Sequence, residues 1–235
     1  MTDYTLTLQI SSADLPTLQA AGQQIVLVRK LADAGQTVAW AVLPLALNRR
    51  VGWNDSYTLY ASNTPNLIGN IIVVAAQAGA TFQCDYSLSV SGFQGPVPDP
   101  ALGPATVQIV NTVPAGSSAS MLLGLAQCYG LDGGASGSVQ PLNAQTVPAQ
   151  QIARFSAAQQ VWVYLASGCA TGMIVPPPLS TTTASAKQVF STALLLSFSA
   201  AAASQTALYS ATLGRFYVPG ATPAAESDAT SQSRR

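Results

Sequence analysis

Apolar residues along this chain fall in short runs punctuated by Gly, Pro, Asn and Ser. Between Thr5 and Ile10 they alternate with polar residues, so Leu6, Leu8 and Ile10 share one face of an extended segment. Ile25-Val26-Leu27-Val28 is a continuous run rich in β-branched side chains, which pack well on a pleated surface. Similar segments follow at Thr37 to Leu43, Tyr57 to Ala61, Asn70 to Ala75 and Thr81 to Val90. A recurrence of roughly 10 to 15 residues is the rhythm of an all-β sandwich or barrel. Strands of about four to eight residues explain runs this short better than helices of ten or more.

Two short helices are predicted to interrupt the pattern. Asp14 is placed to cap the first, and Pro16 sits in its first turn, where a missing N–H is harmless. Gly22 can take the left-handed position that closes it. The second is predicted to begin near Pro148 and to run through Ile152, Arg154 and Phe155 to Ala158.

Both helices fall inside a candidate repeat. Leu15-Pro16, Ala20-Ala21-Gly22-Gln23-Gln24 and Ile25-Val26-Leu27-Val28 are matched in order by Val147-Pro148, Ala157-Ala158-Gln159-Gln160 and Val161-Trp162-Val163-Tyr164. Val42-Leu43-Pro44-Leu45 is matched by Val175-Pro176-Pro177-Pro178, and Tyr86-Ser87 with Phe93 by Tyr209-Ser210 with Phe216. The expected fold is mainly β: tandem antiparallel β-sandwich-like units from an internal duplication, with one short helix per unit. Residues 1–95 form the expected first unit, 96–135 a Pro-rich linker plus a hairpin, 136–220 the second unit and 221–235 a disordered tail. The linker reading rests on Gly95-Pro96-Val97-Pro98-Asp99-Pro100, a composition that favours stiff polyproline II. The expected hairpin joins Thr106–Val110 to Met121–Tyr129 through a turn at Pro114-Ala115-Gly116.

Composition narrows the chemistry. The chain has 235 residues, 49% of them hydrophobic, and is long enough to bury a sizeable core. Charged residues make up 8%, against roughly 25% in an ordinary soluble domain, and the net charge is zero. No Lys/Arg cluster exceeds two residues, so a basic nucleic-acid surface is not expected. There is no histidine, which excludes Ser-His-Asp and Cys-His catalysis and His-bearing metal sites. No phosphate-cradling GxxxxGK[ST] loop and no GxGxxG fingerprint occurs. Lys30 and Lys187 are the only lysines, which leaves little basis for Ser-Lys or Schiff-base chemistry. Nothing singles out a catalytic pair among Asp33, Asp55, Asp85 and Asp132. No cofactor and no metal are expected. Cys84, Cys128 and Cys169 read as reduced thiols, because they are odd in number and widely spaced. The N-terminus lacks a basic segment followed by an apolar one, so a cytoplasmic protein, or one released without a classical signal peptide, is expected.

The richest polar-aromatic cluster runs from Arg49 to Tyr60. It contains the candidate ligand-binding residues Arg50, Trp53, Asn54, Asp55 and Tyr57. An aromatic ring beside Asn, Asp and Arg suits a sugar, whose C–H face stacks while the polar groups read hydroxyls. The competing reading is a strand with Trp53, Tyr57 and Leu59 inward and Asn54, Ser56 and Thr58 at the rim. That reading is preferred, because the stretch Thr181 to Leu196 in the second unit carries no Trp or Tyr. Trp40 and Trp162 are assigned to the core, Arg154 and Arg215 to structural pairing, and the glycines of 130–137 to a flexible loop.

Few charges make self-association cheap in desolvation, and strand edges without lysines pair readily. The expected function is a non-enzymatic structural or interaction protein that assembles into a homo-oligomer or larger array. A carbohydrate-binding, lectin-like module is the first alternative and a membrane-active oligomer the second. Membrane insertion is disfavoured because no set of long amphipathic strands with aromatic girdles is visible. The expected partner is a further copy of the chain, with a glycan as the alternative.

Overall fold

The computed structural model describes residues 2–32, 35–114, 120–134, 137–178, 183–184 and 189–220, with only the backbone at 183, 184, 189 and 190. Of the described residues 53% lie in strands and 3% in helix. Strand β1 (Asp3–Gln9) and helix α1 (Leu15–Ala20) come first. Next are β2 (Gln24–Lys30), β3 (Gln36–Val38), β4 (Ala41–Leu43), β5 (Asn48–Asn54), β6 (Thr58–Ser62), β7 (Ala76–Gly79), β8 (Cys84–Ser89) and β9 (Gly92–Pro98). Then follow β10 (Thr106–Asn111), β11 (Ser120–Gln127), β12 (Gly130–Leu131), β13 (Gln140–Pro141), β14 (Asn143–Pro148), β15 (Ile152–Ser156) and β16 (Gln160–Ala166). The last are β17 (Ile174–Val175), β18 (Thr183–Ala184), β19 (Val189–Phe190), β20 (Leu194–Ser197), β21 (Ser204–Ser210) and β22 (Arg215–Tyr217).

The strands form four sheets, ordered β12-β5-β1-β21-β22, β15-β10-β8-β9, β17-β3-β14-β11-β6-β7 with β13 on β11, and β18-β19-β16-β2-β4 with β20 on β16. In the first, β1 is antiparallel to β5 and parallel to β21, which turns back into β22. The second repeats this pattern: β10 is antiparallel to β15 and parallel to β8, which turns back into β9. Likewise β2 runs antiparallel between β4 and β16, and β11 between β14 and β6. Residues 3–98 and 106–217 therefore show the same pairing pattern, and each half lends strands to the other's sheets.

One core joins all four sheets. It takes Leu6 and Leu8 from β1, Ile25 and Leu27 from β2, Leu59 from β6, Val107 and Ile109 from β10 and Val163 from β16. The alternating residues of β2 belong elsewhere. Val26 and Val28 pack with Ala39, Tyr164 and Val175 in a smaller cluster. On β6 and β11, Tyr60 and Leu122 pack in the same manner with Val38, Ile72 and Ile174. The two central sheets are covered on both faces, which is why their strands read as unbroken apolar runs.

Several expectations are corrected. The predicted second helix is strand β15, whose Ala153 and Phe155 alternate inward opposite Ile109 and Val107. Packing against β10 decides this, because a helix would scatter those two side chains around its axis. The one-helix-per-unit expectation fails with it, since α1 is the only helix among the described residues. In α1, Pro16 lies in the first turn, but the Asp14 side chain makes no cap bond; it accepts from Ser11 Oγ instead. Gly22 does take the left-handed conformation, at φ 63.

The expected linker is also changed. Residues 96–98 belong to β9, an edge strand, where prolines cost no ladder bonds. The expected hairpin of 106–129 does not form, because β10 and β11 lie in different sheets. Its turn at 115–116, and the expected disordered tail, lie outside the described residues. Between 70 and 75 the chain makes only an isolated bridge, Ile71 to Met173. Strands of 1–95 and 136–220 share sheets through β1–β21 and β2–β16, so no sheet boundary falls between them.

Candidate functional site

Strand β5 splits the predicted cluster in two. Its alternation buries Val51 and Trp53 and turns Arg50, Gly52 and Asn54 outward. Trp53 is 5% exposed, so it offers no free face on which a sugar could stack. Its ring lies 4.8 Å from Phe198 and 5.6 Å from Trp40, both edge-on, and 5.8 Å from Tyr4, stacked. Tyr57 is buried as well, and the inward reading of Trp53, Tyr57 and Leu59 holds. Trp40 is fully buried, while Trp162 is half-buried against the smaller cluster of β2 and β16.

Inside this cage sits Arg29, a residue that sequence reasoning did not single out. It is 2% exposed, with its guanidinium carbon 5.4 Å from the Trp40 ring centre and 5.3 Å from that of Trp53. Cation–π attraction offsets part of the cost of burying the charge. Arg29 Nη2 donates to Tyr57 Oη at 3.0 Å, Ala158 O at 3.1 Å and Gln159 Oε1 at 2.7 Å. Gln159 Nε2 in turn donates to Asp55 Oδ1 at 2.8 Å and Tyr57 Oη at 3.0 Å. Among the described residues Arg29 Nε and Nη1 and Trp53 Nε1 have no hydrogen-bond partner. Burial pulls the Arg29 pKa down; burial pushes that of Tyr57 up, and the Arg29 charge beside it pulls it back. Asp55 and Tyr57 thus serve an internal network that ties β2 to the turn before β6 and to the start of β16.

Arg50 and Asn54 face a different space. With Asp3 and Thr5 of β1 they line an outer-face groove of about 310 Å³, floored by Gly52 and rimmed by Gly133. A second depression of about 320 Å³, lined by Thr7, Asn48, Arg50 and Asp132, lies on the other side of Arg50. The glycine-rich segment expected to be a flexible loop is anchored in its described part. Strand β12 pairs with β5, and Asp132 accepts from Arg50 N at 2.8 Å and from Arg49 Nη1 at 2.6 Å. The Arg50 amide first, then the Arg49 guanidinium, hold the Asp132 carboxyl below its ordinary value. The Arg49–Asp132 partnership spans too much chain for any local spacing rule to reveal.

Among the described residues no three acidic or cysteine side chains converge on a point that could hold a metal ion. Cys84 and Cys169 are buried, Cys128 is half-buried, and all three are free thiols. No described helix is long and apolar enough to cross a membrane. Fold and site define a mainly β, sandwich-like protein with a closed arginine cage beneath a polar outer groove. Comparison of the chain with protein-family models, with curated proteins and with solved structures returned no match.

Proposed function

We propose that this is a non-enzymatic β protein that associates with further copies of itself through the ridge at 66–73 and the neighbouring edge strand β7. The observation that carries this reading is a set of large apolar side chains held outward on a fixed backbone. Leu67, Ile68, Ile71 and Val73 are exposed, Val73 by 71%. Their segment is not loose. Val73 N donates to Thr64 Oγ1 and Val73 O accepts from Ser62 Oγ, while Gly69 N and Ile72 N donate to Ile174 O and Gly172 O. Ordered apolar side chains displayed together are the mark of a contact surface.

The charge pattern favours a copy of the same chain as the partner. No charged residue occurs from 56 to 84, so the ridge and β7 meet a second copy without like-charge repulsion or buried ions. Strand β7 ends its sheet and carries no lysine to block edge pairing. The shared pairing pattern of 3–98 and 106–217 supports an internal duplication whose second copy starts at β10, not at 136.

Sedimentation velocity tests the assembly. Wild-type protein is expected to sediment as a multimer, and the Ile68→Asp/Val73→Asp double variant as a monomer with an unchanged circular dichroism spectrum. A wild-type protein that stays monomeric at the highest soluble concentration removes the proposal.

A further inference from the structure

We infer that the outer groove between β1 and β5 is a binding site for a neutral saccharide, held by Asp3, Thr5, Arg50 and Asn54 over the bare backbone of Gly52. This reading is independent of self-association through the ridge. It also differs from the sugar patch expected from sequence, because Trp53 and Tyr57 are not its platform.

The molecule supplies its own comparison. The second sheet has the same strand pattern as the first, with β15, β10 and β8 standing where β5, β1 and β21 stand. On that second face the polar side chains satisfy one another across three strands. Arg154 Nε donates to Gln108 Oε1 at 2.8 Å, and Gln108 Nε2 donates to Asp85 Oδ1 at 3.0 Å. An arginine, an amide and a carboxylate thus join into a ladder across the three strands. On the first face the same chemistry is held apart. Among the described residues neither the Arg50 guanidinium nor the Asp3 carboxylate has a hydrogen-bonded partner, and Asp132 is already engaged by Arg49. Groups that could pair are instead distributed along a groove.

Gly52 is what keeps that groove open. It pairs with Thr5 in the centre of β5 and has no side chain on the outward face. A Cβ built there would meet only Tyr4 O, at 3.8 Å, an ordinary contact. The strand therefore has room for a side chain, and glycine normally weakens a strand interior. A glycine in a strand interior with open space beside it leaves the backbone accessible to close approach by a ligand.

The groove selects its ligand by chemistry. Its volume of about 310 Å³ is at the small end of ligand sites, about 300–1,000 Å³. One carboxylate and one guanidinium offset each other, so neither an anion nor a cation is favoured. Carboxylate, guanidinium, amide and hydroxyl together accept from and donate to adjacent hydroxyls, with charge-assisted bonds at the two ends. The bare backbone at Gly52 lets the C–H face of a sugar ring lie against the strand.

A glycan array carrying neutral, sialylated and sulfated oligosaccharides tests this with full-length wild type, Gly52→Val and Arg50→Met. Both substitutions are on the exposed face, and circular dichroism establishes that each variant is folded. Neutral glycans are expected to retain wild type, with at least tenfold weaker retention of both variants. Retention of no neutral glycan, or equal retention of Gly52→Val, overturns the site. Retention confined to the sialylated and sulfated arms overturns the ligand class, since Arg50 alone would then be acting as an anion anchor.

Discussion

Arg29 Nη2 donates to Tyr57 Oη at 3.0 Å in the interior of the protein, joining the end of β2 to the turn that starts β6. Among the described residues no carboxylate pairs directly with this buried guanidinium. Its charge is met by Tyr57, Gln159, a backbone carbonyl and two indole faces. Such a group contributes connectivity more than raw stability, because burying a charge without an ionic partner is costly.

Truncation and replacement of Arg29 should therefore differ. Arg29→Ala leaves a cavity and strips a donor from Tyr57, Ala158 O and Gln159, and is expected to cost about 2–4 kcal/mol. Arg29→Met keeps the packing against Trp40 and Trp53 and removes the desolvated charge, and is expected to cost markedly less. Urea unfolding of the two variants measures the difference. Equal losses would show that the charge itself holds the cage together.

Asp132 provides the acid-side prediction. Its carboxyl is held below its ordinary value of 3.8 by the Arg50 amide and the Arg49 guanidinium. A folded pKa below the unfolded one means the contribution is present above the unfolded value and is lost as pH falls through the folded value. An NMR titration of the Asp132 carboxyl should have its midpoint below 3.8, with the 130–134 resonances shifting in the same range. In Asp132→Asn that coupled shift should vanish. A midpoint at or above the ordinary value would mean that neither the Arg50 amide bond nor the Arg49 contact persists in solution.

The exchange of strands between 3–98 and 106–217 predicts how the chain tolerates a break. The connection around Gly103 and Pro104 is exposed, while β1–β21, β10–β8, β2–β16 and β11–β6 all cross from one half to the other. Fragments 1–103 and 104–235, co-expressed with a tag on one, should purify as a stoichiometric pair. Each alone should be insoluble, because its central strands would lack partners. A soluble, folded 1–103 fragment would show that the halves are self-sufficient.

Much of the strand content was legible because it is local. Leu6, Leu8 and Ile10 alternate, and Ile25 to Val28 and Val161 to Tyr164 are apolar throughout, so β1, β2 and β16 appear where those runs lie. The segment 152–156 reads as helix in sequence, since Ile152 and Phe155 fit a helical spacing almost as well as Ala153 and Phe155 fit an extended one. Only β10 across from it settles the matter. The candidate site was half legible. Arg50 and Asn54 line a groove, but Asp3 reaches it through pairing with Asn54, across half a hundred residues. Arg29 was invisible because an Arg-Lys pair at a strand end reads as a solvated terminus.

By itself the sequence determined a histidine-free, low-charge chain of short β strands around a large apolar core, and it excluded imidazole and phosphate-loop chemistry. Those properties follow from residue type and from period along the chain, which need no knowledge of neighbours. Tertiary structure alone decided which strands meet, that Trp53 and Tyr57 close around Arg29, and that Arg50 and Asp3 line one groove with Gly52. Strand pairing between distant segments is set by the fit of whole faces in a shared core, and no local pattern records it.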